Sequence, residues 1–286
     1  MRILVTIALL FFYTLQINGQ DDLLKDLEAN LDQDKKVSSV FKGIKIINME
    51  STKLAADKDF YFLISHRFGT INTGIKDLFG LDNANIRFSF VYGLSDWLNI
   101  GVSRSSASKI YDGHIKYRLF QQEEGKSPFT VVGFNSIEYN TGLDEVNFPL
   151  IENKNRLAYT AQLLVSRKFD ENFSFQFAPV FLHENFVPVD TQDNSQFLLG
   201  LGGRYKISKR VTLNSEYHAH MNRAAQSNFV NPLSLGVDIE TGGHVFQLHV
   251  TNSRFMNQDT LPELLAIGEM EIFISDLISG AFSKSF

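Results

Sequence analysis

The sequence predicts an all-β protein, a single antiparallel, up-and-down transmembrane β-barrel of about twelve strands with a short N-terminal helix before it. Three observations lead to this fold class. Many segments alternate apolar and polar side chains, the connections between them are alternately short and long, and no apolar run after residue 20 approaches the ~20 residues of a spanning helix. A chain that crosses a membrane without such helices must do so as a closed barrel.

Composition agrees with a strand-rich chain and excludes several classes of function. The 286 residues include 26 Phe and 9 Tyr, and aromatic side chains are favoured in strands and at membrane interfaces. A formal net charge of −5 argues against nucleic acid as a partner. Because the chain has no Cys, a disulfide scaffold, a thiolate metal site and a lipid-modified cysteine are excluded.

The N-terminus predicts export. Arg2 precedes an almost wholly apolar stretch, and Gly19 offers a small residue for cleavage, as in a signal peptide. The same stretch is too short to serve comfortably as a membrane anchor. We therefore predict three regions: a signal peptide over 1–19, an N-terminal periplasmic segment over 20–57 with a short mobile helix at 21–31, and the outer-membrane barrel over 58–286.

The alternation of side chains defines two faces for each predicted strand. In the clearest segment Phe173, Phe175, Phe177 and Phe181 share one face, and Ser174, Gln176 and Ala178 share the other. The apolar face suits lipid and the polar face suits a hydrated lumen. Two segments are less regular, because Leu164 interrupts the polar set of 157–168 and the segment 129–138 fits either phase. Residues 60–68 predict the first strand, and residues 268–286 hold the last.

The lengths of the connections favour an outer-membrane barrel over a soluble sandwich. Tight turns are predicted at 93–96, 169–172, 207–210 and 241–243. Long connections are predicted at 69–84, 140–155, 184–195, 222–231 and 252–267, and intermediate ones at 103–110 and 121–127. Outer-membrane barrels have short periplasmic turns and longer external loops. We therefore expect the tight turns in the periplasm and the long loops outside the cell.

Several motifs resemble one bacterial family. They are Phe41-Lys42-Gly43 with Ile47-Asn48, Ile64-Ser65-His66-Arg67-Phe68-Gly69, Gly80-Leu81-Asp82-Asn83-Ala84-Asn85-Ile86-Arg87 and Tyr111-Asp112-Gly113-His114-Ile115-Lys116-Tyr117-Arg118-Leu119. Together they resemble the β-barrel family of Bacteroidota catalogued as domain of unknown function 5777. The resemblance covers almost the whole mature chain, and it implies an outer-membrane barrel without an established activity. One departure is Lys284, which lies between Phe282 and Phe286 where an apolar residue is usual in a C-terminal strand that the barrel-assembly machinery recognises.

Charged residues on the predicted lumen face are the main candidates for a site. They are Lys116, Arg118, Arg204, Lys206, Glu216, Asp238 and Glu240. These charges predict either a constriction that selects solutes or salt bridges that stiffen the barrel. The second interpretation is favoured, because unpaired charges in a narrow lumen cost several kcal/mol.

Two further patterns, of histidines and of glycines, do not indicate a catalytic or ligand-binding site. His218 and His220 place two imidazoles on one face of a strand, and His249 is a third weak candidate ligand, but no supporting carboxylates are evident and we predict no metal. Glycines 200, 202 and 203 predict close approach of other side chains rather than a nucleotide loop. No nucleophile–base spacing is present, so we predict no enzyme and no cofactor.

The favoured function is that of an outer-membrane β-barrel of unknown ligand: a narrow channel, a small-ligand binder or a structural barrel. One alternative is a secreted or periplasmic soluble barrel that binds a small apolar ligand, with its apolar face inside. Another is an outer-membrane enzyme that uses lumen carboxylates and histidines. The expected partners are outer-membrane lipid, the barrel-assembly machinery and a small solute of unknown identity.

Overall fold

The computed structural model describes residues 36–37, 39–82, 84–187, 193–224, 230–242, 244–253 and the backbone of 271–281. The predicted signal peptide and the helix predicted at 21–31 lie outside the described residues. From Val37 onward the chain belongs to one compact unit. No helix within the described ranges is long and apolar enough to cross a membrane.

The described chain is an antiparallel sheet of strands connected in sequence order. The strands are β1 (Asp59–Thr70), β2 (Ala84–Ser95), β3 (Leu98–Ser105), β4 (Ile110–Phe120), β5 (Thr130–Asn140), β6 (Leu157–Lys168), β7 (Phe173–Glu184), β8 (Ser195–Lys206), β9 (Val211–His220), β10 (Leu233–Thr241), β11 (His244–Thr251) and β12 (Glu271–Ala281). From β1 to β11, each strand pairs with the next strand in the chain. The prediction of an all-β, antiparallel, up-and-down sheet is confirmed.

The two faces of the sheet differ as the alternation predicts. On β7, Phe173, Phe175 and Phe177 are exposed on the outer face, while Ser174 and Gln176 are buried on the inner face. The other strands from β1 to β11 follow the same rule, with large apolar side chains outside and mostly polar side chains inside. A soluble barrel requires the opposite arrangement, because its apolar side chains fill the interior. The outer face therefore suits contact with lipid.

The irregular segments of the sequence are explained by what the inner face touches. Val132 on β5, Leu164 on β6 and Ala178 on β7 are apolar residues that point inward and are fully buried. They pack in one cluster with apolar residues from the stretch that precedes β1. Leu164 thus interrupts a polar pattern because its strand faces an apolar neighbour at that point.

Short and long connections lie at opposite edges of the sheet. In the tight turn between β6 and β7, the backbone N–H groups of Phe173 and Asn172 donate to Asp170 at 2.8 and 2.7 Å. These hydrogen bonds hold the pKa of the Asp170 carboxyl below its usual value. The connections at the other edge, apart from the one between β3 and β4, are longer, and 3-10 helices lie there at Ile71–Gly80, Ala107–Lys109 and Asn153–Arg156. These edges are called the short-turn edge and the long-loop edge below.

Candidate functional site: a plug inside the sheet

The interior of the sheet is occupied by the chain's own residues 39–56, called the plug below. The sequence predicts that this stretch belongs to the N-terminal periplasmic segment over 20–57, without a regular secondary structure. Its apolar side chains are buried, among them Val40, Phe41, Ile44, Ile46, Ile47, Met49 and Leu54. A signal was present in the sequence, since apolar residues are frequent from 40 to 55 directly before the first strand. That stretch has neither a period of two nor one of 3.6, so periodicity gave no assignment.

The plug is a hairpin whose tip reaches into the sheet. The N–H of Ile46 donates to the carbonyl of Met49 at 2.9 Å, and the N–H of Ser51 donates to the carbonyl of Ile44 at 3.0 Å. The Ser51 hydroxyl also donates to the Gly43 carbonyl at 2.6 Å. These bonds leave Ile47 and Asn48 at the tip.

Both ends of the plug lie at the short-turn edge. Just before the plug, the N–H of Val37 donates to the carbonyl of Gln122, in the connection between β4 and β5. Just after it, the N–H of Asp57 donates to the Asp96 carboxylate at 3.1 Å, in the turn between β2 and β3. The plug therefore enters and leaves the interior through the same edge.

The tip of the plug binds a single carboxylate on the wall. Oε2 of Glu216, on β9, accepts the backbone N–H groups of Ile47, Asn48 and Met49 at 3.1, 3.0 and 2.9 Å. Three successive N–H groups that converge on one point form a concave site for an anion. Glu216 is 1% exposed, so the protein supplies this anion from its own wall. The Asn48 side chain is also bound, accepting from Arg67 at 2.5 Å.

An ion-pair network holds the stem of the hairpin. The Glu50 carboxylate on the plug lies 3.1 Å from Lys45 of the plug and 3.1 Å from Lys116 on β4. Lys116 donates in addition to the carbonyl of Ile44 at 2.9 Å. Gln176 on β7 donates to the Glu50 carbonyl at 2.7 Å. Because each buried charge has an opposite partner, the network avoids the large penalty of an isolated buried ion.

Hydrogen bonds and a salt bridge also join the wall to plug residues near the short-turn edge. Arg204 on β8 donates to the carbonyl of Val40 at 2.9 Å, and Lys42 forms a salt bridge with Glu240 on β10. The hydroxyls of Thr52 and Ser166 are hydrogen-bonded at 2.5 Å. Polar wall residues therefore contact the plug along its whole length.

Glycines on β8 make room for the tip. A Cβ atom at Gly200 would lie 2.6 Å from the Met49 sulfur, and one at Gly202 would lie 2.5 Å from Cδ1 of Ile46. Both distances are shorter than any van der Waals contact. Close approach, as the sequence predicts for these glycines, is the reason for their position.

Most of the charged residues predicted on the lumen face bind other residues instead of pairing with one another. Glu216, Lys116, Arg204 and Glu240 contact the plug, as described above. The three remaining residues also lie inward: Asp238 accepts from Gln247 at 2.9 Å, Arg118 donates to Gln121 at 3.2 Å, and Lys206 pairs in register with Thr212. The sequence predicts that these charges lie on the inner face, but it does not predict that the plug is their main partner.

The three candidate histidines lie on two strands of the sheet, His218 and His220 on β9 and His249 on β11. His218 is fully buried, and its Nδ1 lies 3.6 Å from Oε1 of Glu216. His220 is half-buried on the same strand, whereas His249 lies on β11, opposite Gly236 of β10. Among the described residues, no group of three or more His, Asp or Glu side chains could hold a metal ion.

Comparisons with known proteins agree with this architecture. Residues 41–263 match a family model described as membrane bound beta barrel domain (DUF5777). No curated protein matches the chain in sequence.

Solved structures with the same fold include a NanC porin, which is 8% identical and covers 77% of this chain and 99% of its own, with a TM-score of 0.51. A KdgM porin is 9% identical with the same coverage and a TM-score of 0.48. The COG4313 outer membrane channel from Pseudomonas putida F1 is 12% identical, covers 80% of this chain and 97% of its own, and has a TM-score of 0.48. At such identities the similarity concerns the fold alone.

Proposed function

Because the chain belongs to the family of membrane-bound β-barrel domains catalogued as DUF5777 and is an outer-membrane protein, we propose that it is a narrow solute channel closed by its own plug. The observation that carries this proposal is the set of hydrogen bonds from the plug tip to Glu216. The plug also packs against apolar wall residues such as Leu164, but its tip is held by hydrogen bonds, which can be exchanged for hydrogen bonds to water.

The proposal includes closure of the sheet as a twelve-stranded barrel. Backbone pairing of β12 with β1, from Asp59↔Ala281 to Arg67↔Phe273, supports closure. An open sheet edge in hydrocarbon would leave its N–H and C=O groups without partners, at several kcal/mol each. Twelve strands enclose a wider lumen than eight, which side chains alone nearly fill.

Polar atoms on the inner face support a hydrated interior. Within the described part of the chain, the buried side-chain atoms without a hydrogen-bond partner include Ser136 Oγ, Thr160 Oγ1, Gln196 Oε1 and both ring nitrogens of His218. Buried polar groups without partners are unfavourable unless water or a ligand binds them. A solute path along this wall would supply such partners.

A non-enzymatic role is part of the same proposal. Ser103, Asp112 and His114 are the most suggestive group, since His114 Nδ1 lies 3.4 Å from the Asp112 carboxylate. However, the Ser103 hydroxyl donates to Asp112 itself, and Arg87 forms a 2.7 Å ion pair with the same carboxylate. A serine nucleophile instead needs its hydroxyl bonded to the histidine that accepts its proton. The geometry suits a structural ion pair.

We also propose that the short-turn edge faces the periplasm. Both ends of the plug lie at that edge, and the predicted signal peptide precedes the plug in the chain. The long loops then face outside, as in other outer-membrane barrels.

Planar-bilayer recording tests the proposed function. The wild-type protein should conduct rarely, and a variant in which residues 39–56 are replaced by a Gly/Ser linker of equal length should show steady single-channel conductance. Heat-modifiable mobility on gels, a sign of a folded barrel, serves as the control for both proteins. A folded variant without the plug that conducts no better than wild type would refute the channel.

A further inference from the structure

The outer face of the sheet is nearly free of charge. Every second residue of β1–β11 points away from the interior, and at these positions the described residues include no acidic side chain. Two positions carry a permanently charged side chain, Arg104 on β3 and Arg167 on β6, and both are exposed. A charge within the apolar band of a membrane protein is unfavourable, most of all at its centre. The two arginines therefore mark the limits of that band.

Arg104 lies at the long-loop edge. It is the penultimate residue of β3, which runs from the short turn at Asp96 toward the connection at Ala107–Lys109. Its Nε donates to the Tyr111 hydroxyl at 3.1 Å, and its guanidinium carbon lies 5.4 Å from the centre of the Tyr111 ring. Tyr111 holds the guanidinium on the outer surface of the sheet.

Arg167 lies at the opposite, short-turn edge. It is the penultimate residue of β6, directly before the turn at Asp170. Its guanidinium carbon lies 5.8 Å from the Phe129 ring centre and 5.1 Å from that of Phe169. Phe169 in turn stacks on Phe173 at 5.5 Å. Aromatic side chains at the edge of the apolar band are typical of the membrane interface.

The separation of the two arginines matches the thickness of a bilayer. Cross-strand pairs lead from Arg104 through Tyr111 and Tyr139 to Leu157, the first residue of β6. Arg167 is ten residues farther along β6, roughly 33 Å at the rise of an extended strand. A tilted strand of that length crosses the ~25 Å apolar band of an outer-membrane barrel.

Neither arginine has a counter-ion among the described residues. No carboxylate of the described residues lies within 4.0 Å of the guanidinium groups of Arg104 or Arg167. The planar guanidinium of an arginine can donate two parallel hydrogen bonds to a phosphate group. We infer that Arg104 and Arg167 each bind a lipid phosphate, one in each leaflet, and thereby set the depth of the protein in the membrane.

This inference depends on the membrane location and not on the proposed channel. The probe is phosphatidylglycerol, and the measurement is native mass spectrometry of the full chain, folded in detergent with a titrated amount of the lipid. Each of R104Q and R167Q should weaken retention of phosphatidylglycerol about five-fold, since one basic residue contributes about that factor near an anionic surface. The lysine variants R104K and R167K should retain more lipid than the glutamine variants.

Matched controls remove a positive charge from a connection instead of the outer face: K154Q on the long-loop side and K126Q on the short-turn side. Both should bind the lipid like the wild type. Equal loss in these controls would show a non-specific charge effect and overturn the inference. A test without mutations uses monogalactosyl diacylglycerol, which has no phosphate. If the wild type retains this lipid as well as phosphatidylglycerol, the phosphate sites do not exist.

Discussion

The Oε2 atom of Glu216 and the backbone N–H of Ile47 lie 3.1 Å apart, although 169 positions separate the two residues in the chain. This contact joins the tip of the plug to the wall of the sheet. Asn48 and Met49 add two further N–H groups to the same oxygen. The three backbone N–H groups of the plug tip are therefore bound by one side chain, which can be changed without altering the plug.

The first prediction concerns Glu216→Gln. The change keeps the size of the side chain but removes its charge, and a hydrogen bond to a charged group contributes about 1.5–3 kcal/mol against about 1 for a neutral one. The plug should leave the lumen more often, and the open fraction in single-channel recordings should rise about ten-fold. The matched control is Asp238→Asn, since Asp238 binds Gln247 on the neighbouring strand. An E216Q variant as closed as D238N would show that this carboxylate does not hold the plug.

The second prediction concerns the buried ion pair between Lys116 and Glu50. Lys116→Met leaves the Glu50 carboxylate with Lys45 alone, and loss of one partner of a buried pair costs about 3 kcal/mol. Urea unfolding of the reconstituted protein should show this loss of free energy of unfolding. Adding Glu50→Gln to the variant should lower the stability further, because Lys45 then loses its carboxylate partner.

The control for this pair is Lys126→Met, which removes an exposed ion pair with Glu123 and should change the stability little. If K116M unfolds at the same urea concentration as K126M, the network around Glu50 contributes nothing to stability.

The third prediction concerns the close contact between Gly202 on β8 and Ile46 of the plug. A Cβ there would already lie 2.5 Å from Cδ1 of Ile46, so Gly202→Leu should push the tip of the plug out of place and raise conductance. Adding Ile46→Ala should restore the closed state by making room. The matched control is Gly113→Leu, where a Cβ meets no atom within 4 Å. Conductance that rises equally in the control would point to general disruption of the sheet rather than to the plug.

The fourth prediction concerns orientation. Cysteine at Val146, which is 90% exposed in the connection between β5 and β6, should react with a membrane-impermeant maleimide on whole cells. Cysteine at Asp170, in the turn between β6 and β7, should react only after lysis. The chain has no other Cys, so each signal reports one position. The reverse labelling pattern would place the short-turn edge outside and contradict the proposed orientation.

The sheet was predictable from sequence because its signals are local. Alternation within one strand, as from Phe173 to Phe181, and the residues of a tight turn such as Asp170 depend on neighbours a few positions away. The plug was not predictable, since its hydrogen bonds are made with Glu216, Lys116 and Arg204, each more than 65 positions away. The inward apolar residues Val132 and Leu164 were the visible trace of the plug, because a strand that faces only water has no reason to place them inside.

The most direct test of the account locks the plug to the wall by a disulfide. In the Cys-free chain, Ile46→Cys and Gly202→Cys are combined with Glu216→Gln, because the Cβ position at Gly202 adjoins the Ile46 side chain. Conductance is then recorded in planar bilayers under reducing and oxidising conditions. A plug that closes the lumen predicts open channels under reduction and closed channels once the disulfide forms, with reopening when reductant returns. Conductance that is the same in the crosslinked and reduced protein would contradict closure by the plug.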